Sequence, residues 1–308
     1  MNQRVLVTGS SGLVGSALVS ALISRGFEVC CLDLRALAEA QGDVCDRERL
    51  RGPVSRVDGV VHLAAVSRVG AAERNPELCW ATNVGGLRNV LELTAEASRS
   101  PWVIFASSRE VYGHPERLPV TEDFPLRPVN VYGHSKAMGE RLVEDARRAG
   151  LRACIVRLSN VYGSAKDHED RVIPAFMRAA AAGRELRIDG AHRVFDFTHV
   201  DDVTRGILAL IELLGAGKAA PPPIQLVSGK PTTLGELAQL VVNLYQSRSA
   251  IREAPPRTFD VSGFIGAPLR AKQLLGWVPR VQLEEGLTRL VGEFRRELPR
   301  ASFQEIGR

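Results

Sequence analysis

The chain has 308 residues, of which 45% are hydrophobic and 24% are charged, which is enough apolar material for one large core or two modest ones. Its formal net charge is a modest +5, and its arginines are scattered among Glu and Asp along the chain, so we expect no nucleic-acid partner. The longest apolar stretches are strand-sized and fall short of the roughly 20 residues that a membrane helix needs, so we expect no membrane partner either.

The first residues lack the pattern of a secretory signal. The apolar run Val5-Leu6-Val7 follows Arg4 directly, is too short for a signal-peptide core and leads to no small-residue cleavage site. We therefore expect a cytoplasmic protein. The five cysteines form no C-x-x-C pair and have no histidine at metal-ligand spacing, so we expect reduced thiols and no metal site.

Short runs rich in β-branched residues alternate with helix-length segments through the first half of the chain. The runs at residues 4–8, 28–33, 57–63, 102–106 and 152–158 are predicted to be strands. Because helix-length segments separate them, the pattern predicts a doubly wound parallel sheet.

The first strand leads into a glycine-rich turn. Residues 4–15 read R-V-L-V-T-G-S-S-G-L-V-G, and a helix is predicted at residues 13–25. Gly9, Gly12 and Gly15 would let the backbone approach a pyrophosphate at the helix N-terminus, although a glycine triplet can also be an ordinary tight turn. The turn favours a dinucleotide cofactor.

The second strand ends in Asp33, where a carboxylate can accept the ribose hydroxyls of a dinucleotide. Asp33 would repel a ribose 2′-phosphate, so NAD is favoured over NADP. Arg35 leaves NADP open, because a basic side chain two residues further on could reach such a phosphate.

The predicted fold class is α/β: a Rossmann-type doubly wound parallel sheet with a smaller C-terminal α/β substrate-binding part. We place the NAD-binding domain at residues 1–160 and the mainly substrate-binding part at residues 161–308. A Pro- and Gly-rich hinge at residues 215–223 separates a helix at 201–214 from a strand at 224–228, and both are expected to return to the first domain.

Tyr132 and Lys136 lie at the start of a predicted helix, and a spacing of four places both side chains on one face. A neighbouring ammonium and a cationic nicotinamide would lower the pKa of the tyrosine and make it a phenolate base. Only five of the 40 Lys and Arg residues are lysines. A lysine at position 136 is therefore unusual for this chain, which favours a specific role for its side chain. The alternative is a chance pair on a surface helix.

With these residues in place, the chain resembles the extended short-chain dehydrogenase/reductase family, the NAD-dependent epimerases and dehydratases that act on nucleotide-sugars. The resemblance covers nearly the whole chain. Its landmarks, in order, are T-G-S-S-G-L-V-G (8–15), G-D-V (42–44), H-L-A-A (62–65), N-V-G-G (83–86), S-S-R-E-V-Y-G (107–113), Y-G-H-S-K (132–136), R-L-S-N-V-Y-G (157–163), D-F-T-H-V-D-D (196–202) and L-G-W-V-P (275–279).

The resemblance implies roles for further residues. Asp43 would meet the adenine, Ala64 and Ala65 would pass beneath the cofactor, and Ser108 would hydrogen-bond the reacting sugar oxygen and orient it toward Tyr132. The expected NAD-binding set is Gly9, Ser11, Gly12, Leu13, Val14, Gly15, Asp33, Asp43, Val44, Leu63, Ala64, Ala65, Asn83, Ala106, Tyr132 and Lys136. The expected substrate-binding set is Ser67, Arg68, Ser108, Arg109, Asn160, Arg193 and Arg257, with Asn160 on a phosphate or hydroxyl. A homodimer through helices at residues 83–98 and 131–148 is also implied.

The residues after Ser108 depart from the family's patterns. Dehydratases often carry an Asp-Glu pair there and 4-epimerases small residues, whereas this chain has Arg109-Glu110. If the segment is extended, Ser108 and Glu110 point the same way and Arg109 points away. Arg109 would then pair with acidic residues outside the pocket, or else hold a substrate carboxylate such as that of a uronic acid.

These residues leave three functions open. A 4-epimerase acting through a transient 4-keto sugar is our first choice, because it needs only Ser108, Tyr132, Lys136 and NAD. A 4,6-dehydratase, C5-epimerase or uronic-acid decarboxylase would use Glu110 as a further catalytic residue. A non-catalytic NAD(P)-binding sensor or scaffold is the third possibility.

A second departure concerns anion binding. Relatives commonly place an arginine directly before the D-F of Asp196-Phe197, and here Phe195 stands in that position. Arg193 or Arg257 could bind the substrate diphosphate in its place.

Overall fold

A six-stranded, all-parallel sheet forms the centre of the molecule. The computed structural model describes residues 3–257 and 259–297, so residues 298–308 of the predicted substrate-binding part lie outside it. The six strands are β1 Arg4–Thr8, β2 Glu28–Leu32, β3 Gly59–His62, β4 Trp102–Ser108, β5 Ala153–Leu158 and β9 Ile224–Leu226. Their order across the sheet is β2-β1-β3-β4-β5-β9. The predicted Rossmann-type parallel sheet is confirmed.

Helices cover both faces of this sheet. The helices of the described residues are α1 Leu13–Ser24, α2 Arg47–Ser55, α3 Val69–Arg74, α4 Pro76–Trp80, α5 Gly86–Glu96, α6 Val131–Arg148, α7 Val172–Ala181, α8 Val200–Gly215, α9 Leu234–Tyr245, α10 Leu269–Leu275 and α11 Leu283–Glu297. Of these, α7, α9 and α11 belong to the smaller part of the molecule and do not pack on this sheet. A π-helical turn, Ala81–Gly85, precedes α5, so the regular helix begins later than the predicted residue 83.

The strands are mostly apolar because both faces of the sheet are covered. Along β1, Val5 and Val7 pack with α1 and α8 on one face, and Leu6 packs with α2 and α5 on the other. The later part of the chain also contributes to this layer, since β9 pairs with β5 and α8 packs along α1.

The remaining strands form two small sheets beside the large one. The first contains β6 Asn160–Tyr162, β8 Val194–His199 and β10 Pro231–Thr233, and the second pairs β7 Leu186–Asp189 with β11 Ile251–Ala254. Their apolar side chains pack with α7, α9 and α11 into a second core that includes Phe176, Leu237 and Phe294. This part lies over the carboxyl ends of the large sheet's strands and closes a cleft there.

Within residues 3–257 and 259–297, no helix combines the length and apolar character that crossing a bilayer requires. The same residues contain no group of three or more His, Cys, Asp or Glu side chains placed to hold a metal ion.

Helix α6 lies close against β4 because Gly139 has no side chain. A Cβ atom there would lie 2.6 Å from Cζ of Phe105 and 3.1 Å from Cδ2 of Leu87. In α11, by contrast, a Cβ on Gly292 would meet no described atom within 4 Å apart from the neighbouring backbone of its own helix.

These two glycines give a matched test of helix packing. Gly139→Ala should lower the free energy of unfolding by about 1–3 kcal/mol, because the methyl group forces α6 away from the sheet. Gly292→Ala should leave it unchanged or raise it by up to about 1 kcal/mol, because alanine is the better helix former. Urea unfolding of both variants measures the difference, and equal effects would contradict the close packing of α6.

Candidate active site

A cavity of about 1110 Å³ lies at the carboxyl ends of the parallel strands. Ligand pockets usually measure about 300–1,000 Å³, so this cavity has room for a dinucleotide and a second ligand. The large sheet contributes the turns after β1, β2, β3 and β4, and the smaller part contributes Ile173, Phe195 and Leu234.

The glycine turn after β1 forms one end of the cavity. Gly9 has φ +71°, and a Cβ there would lie 2.6 Å from the backbone nitrogen of Ala64. A Cβ on Gly15 would lie 2.1 Å from the carbonyl oxygen of Gly9. No side chain therefore fits at either place. Gly12, which precedes α1, forms no side-chain hydrogen bond to the first N–H groups of that helix, so they are open to a ligand. This cradle fits the pyrophosphate of a dinucleotide.

Asp33 fixes the same turn. Its side chain is 7% exposed and accepts hydrogen bonds from the backbone N–H groups of Ser11, at 3.0 Å, and Arg35, at 2.8 Å. The exposed guanidinium of Arg35 lies 3.7 Å from the Asp33 carboxylate. A carboxylate at the adenosine end of the cradle fits NAD.

The cavity wall contains all but one of the residues predicted to bind the cofactor. Asn83 is the exception and needs a correction. Its side chain is buried behind Val66. The amide oxygen of Asn83 accepts a hydrogen bond from the Val66 N–H, and the amide nitrogen donates to the Val66 carbonyl and to the hydroxyl of Ser135. Because these bonds occupy the amide, Asn83 supports the wall rather than forming it.

Ser108, Tyr132 and Lys136 come together in the wall of the cavity. Ser108 is the last residue of β4, and Tyr132 and Lys136 lie in the first turns of α6. Asn130 begins that helix by accepting a hydrogen bond from the backbone N–H of Gly133. The ammonium of Lys136 donates to the carbonyl oxygen of Ala106 at 2.8 Å and lies 5.9 Å from the centre of the Tyr132 ring.

The pKa values of this group reflect its burial. Desolvation raises the pKa of Tyr132 to about 12, although the Ser108 hydroxyl and the Arg171 guanidinium act in the opposite direction. Desolvation also lowers the pKa of Lys136 to about 8. The expected lowering of the tyrosine pKa is thus absent in the protein alone, because burial outweighs the nearby charges.

A buried ion pair lies directly behind the group. Glu140, one helical turn after Lys136, accepts two hydrogen bonds from Arg157 of β5, at 2.9 and 2.7 Å. It also accepts one from the hydroxyl of Ser107, at 2.5 Å, and both charged side chains are at most 6% exposed. The pair therefore ties α6 to β5 and to the residue before Ser108.

Arg109 and Glu110 occupy a different geometry from the one predicted. Residues Arg109–Tyr112 form a 3-10 turn, in which the Ser108 hydroxyl accepts a hydrogen bond from the Glu110 N–H. Because the chain turns instead of extending, Arg109 does not point away: both side chains line the cavity, and their charged groups lie 3.0 Å apart. Arg109 therefore pairs with an acidic residue inside the pocket.

The two arginines proposed for the diphosphate differ in position. Arg257 lines the cavity and pairs with Asp260 at 2.8 Å. Arg193 instead donates to the backbone carbonyls of Asp260 and Val261 and is absent from the cavity wall among the described residues, which corrects its assignment. Phe195 is on the wall, and its ring lies 4.8 Å from the guanidinium carbon of Arg109.

The structure adds a residue that the sequence did not single out. Arg171 begins α7, lines the cavity, and donates to the hydroxyl of Ser67 at 3.2 Å. Arg68 pairs with Asp170 at 2.7 Å in the same place. An arginine directly before a helix is too common a pattern to reveal that it lines the same cleft as Tyr132.

Comparison with known proteins identifies the family. Residues 5–221 match the model of the NAD dependent epimerase/dehydratase family. The chain belongs to this family. The predictions of the family and of an NAD-dependent nucleotide-sugar epimerase or dehydratase are confirmed.

Members of the family with solved structures have the same fold. The UDP-glucose 4-epimerase of Thermotoga maritima, solved with UDP-glucose, is 31% identical with a TM-score of 0.89, covering 96% of this chain and 100% of that one. MoeE5, solved with UDP-glucuronic acid and NAD, is 28% identical with a TM-score of 0.88 and the same coverage. UDP-glucuronic acid decarboxylase 1 of Danio rerio is 29% identical over 314 residues, which cover 96% of this chain and 73% of the relative.

The ion pair behind the family's Tyr/Lys site can be compared with an exposed pair. Glu140→Gln should lower the free energy of unfolding by about 3–5 kcal/mol, because it leaves the buried Arg157 without a counter-charge. Glu48 pairs with Arg51 at 3.0 Å on the surface, so Glu48→Gln should leave the unfolding midpoint unchanged within error. Thermal and urea unfolding measure the stability of both variants. Equal losses of stability would show that the buried pair stabilises the fold no more than the exposed pair does.

Proposed function

We propose that this enzyme inverts the C4 hydroxyl of a UDP-sugar through a transient 4-keto intermediate. The observation that carries the proposal is the grouping of Ser108, Tyr132 and Lys136 at the carboxyl end of β4, beside the cradle of the glycine turn. Relatives and structural neighbours that are UDP-glucose 4-epimerases support the choice of reaction and nucleotide.

The NAD would be held by the glycine cradle, Asp33, Asp43 and the backbone at Ala64 and Ala65. The chemistry that NAD supplies when bound is removal of hydride from C4 and its return to the opposite face. Lys136, held on the Ala106 carbonyl, would fix the ribose and place a positive charge beside Tyr132.

The chain's own residues move the proton. The Ser108 hydroxyl would hydrogen-bond the C4 oxygen and orient it toward Tyr132, whose phenolate oxygen accepts the hydroxyl proton and later returns it. The diphosphate would be held by polar and cationic side chains of the cavity wall: Ser67, Arg68, Arg171 and Arg257. Asn160 would bind a sugar hydroxyl.

A reaction at C5 is the second candidate. Glu110 lines the cavity beside Ser108, and a carboxylate there could remove the C5 proton of a 4-keto sugar, as dehydration or C5-epimerisation requires. Similarity to UDP-glucuronic acid decarboxylase 1 supports testing uronic acids as well. The residue before Glu110, however, is an arginine, which cannot serve as the acid that releases water.

We also propose that the enzyme is a cytoplasmic homodimer that pairs through the outer faces of α5 and α6, with residues 1–160 binding NAD and residues 161–308 mainly binding substrate. α5 and α6 are neighbours in the fold, as a shared interface would require. Light scattering after size exclusion would give the mass, and a monomer would contradict this arrangement.

The reaction is tested by incubating the enzyme and NAD with UDP-, dTDP- and GDP-sugars in deuterated water and analysing the products by NMR. We expect a C4-inverted UDP-sugar without deuterium at C5. Deuterium at C5, loss of the 6-hydroxyl or loss of a carboxylate would establish the second candidate. No turnover of any sugar would favour a non-catalytic NAD-binding protein.

Tyr132→Phe tests the proton acceptor. It should lower kcat by about 10²–10⁴-fold, because no other group replaces the phenolate, while the amount of bound NAD stays the same. In the wild type, single-turnover reduction of NAD should become faster as pH rises, since the buried tyrosine must lose its proton first. A Tyr132→Phe enzyme with wild-type kcat would rule out this role.

A further inference from the structure

We propose that Arg109 confines the reaction to C4 by holding the Glu110 carboxylate away from catalysis at C5. This inference rests on the proposed function, since it concerns the fate of the 4-keto intermediate. It assigns Arg109 to reaction specificity, distinct from both earlier interpretations of this residue.

The two residues form a fixed charge pair in the wall of the cavity. The Arg109 Nη2 lies 3.0 Å from the Glu110 Oε1, and the other carboxylate oxygen, Oε2, accepts a hydrogen bond from Asn130 at 2.8 Å. Both oxygens of the carboxylate are therefore engaged. Glu110 is 6% exposed in its side chain, so water does not replace these partners.

Arg109 is itself built into the wall. Its side chain is 13% exposed, its Nη2 also donates to the Asn160 side chain at 3.1 Å, and its guanidinium stacks on the ring of Phe195. These contacts come from β6 and β8, whereas Glu110 follows β4. The contacts with Asn160 and Phe195 hold the guanidinium beside the Glu110 carboxylate.

The chemistry of the intermediate makes such restraint useful. In a 4-keto sugar the C5–H bond lies next to the carbonyl and is acidic. If a carboxylate accepts that proton, the bonding electrons form a C4–C5 double bond and an enolate oxygen at C4. Return of the proton to the other face inverts C5, and loss of the C6 hydroxyl as water, with a proton from a nearby acid, gives an elimination product.

A carboxylate near C5 therefore threatens an epimerase. Glu110 lies close enough to Tyr132 for its charge to act on the tyrosine and raise its pKa, and both side chains line the same cavity. Pairing with Arg109 removes its reactivity without removing the carboxylate, which also braces Asn130 at the start of α6.

The test compares wild-type enzyme with Arg109→Gln, Arg109→Lys and the double variant Arg109→Gln with Glu110→Gln. Each is incubated with UDP-glucose in deuterated water, and deuterium at C5 is counted per C4 inversion by NMR and mass spectrometry. We expect at least a tenfold increase in Arg109→Gln, a smaller one in Arg109→Lys, and wild-type incorporation in the double variant, which isolates Glu110 as the base.

Three results would overturn the inference. Arg109→Gln could invert C4 with no added deuterium, the deuterium could persist in the double variant, or the wild type could already exchange C5 at the variant's rate. A variant that loses turnover of UDP-glucuronic acid alone, with UDP-glucose unaffected and no exchange, would assign Arg109 to carboxylate binding instead.

A second substrate distinguishes a failure of this inference from a failure of the proposed function. UDP-4-keto-6-deoxyglucose already carries the ketone, so exchange at C5 requires no hydride transfer, and the rate above that without enzyme is the measured quantity. If the wild type inverts no sugar, the proposed function fails. Faster C5 exchange of the keto sugar in Arg109→Gln than in wild type would still support the restraint of Glu110, and equal rates would overturn it.

Discussion

The buried ion pair between Glu140 and Arg157 is the interaction on which the site's geometry depends. It joins three elements that are far apart in sequence: α6 through Glu140, β5 through Arg157, and the end of β4 through the Ser107 hydroxyl. Ser107 precedes Ser108, and Glu140 lies one turn after Lys136. The pair therefore sets how far the strand's last hydroxyl lies from the helix that carries Tyr132 and Lys136.

Such a pair is a poor source of stability, because removing two charges from water offsets most of their attraction. Its value here is positional. Arg157 also donates to the Tyr112 hydroxyl and to the backbone carbonyl of Glu122, so its guanidinium has defined partners in several directions. The glycine at position 139 acts together with it, since it lets α6 approach the ring of Phe105. Charge pairing and close packing thus fix the same helix from two sides.

The sequence predicted the positions of those residues whose structure follows from a regular local pattern, and it failed where a single hydrogen bond or distant residues determine the structure. Strand β1 and helix α6 have the predicted bounds because hydrophobic periodicity and an N-terminal cap define them locally. Arg109 was misplaced because one hydrogen bond, from the Glu110 N–H to the Ser108 hydroxyl, turns the chain where an extended strand was assumed. Arg193 and Asn83 were misplaced because their partners, at residues 260–261 and at Val66 and Ser135, are distant in sequence.

Arg109 and Phe195, the two residues that depart from the family's landmarks, depend on each other physically. Their side chains stack, with the guanidinium carbon 4.8 Å from the centre of the ring, an arrangement in which an aromatic face attracts a cation. An arginine at position 195 would instead bring a second positive charge against Arg109 in a buried wall, where like charges repel strongly. An arginine at position 109 therefore requires a neutral side chain at 195, and Phe195 supplies the surface that holds Arg109 against Glu110. Phe195 alone suggests the loss of an anion-binding arginine, whereas Phe195 and Arg109 together form a wall around the Arg109–Glu110 charge pair.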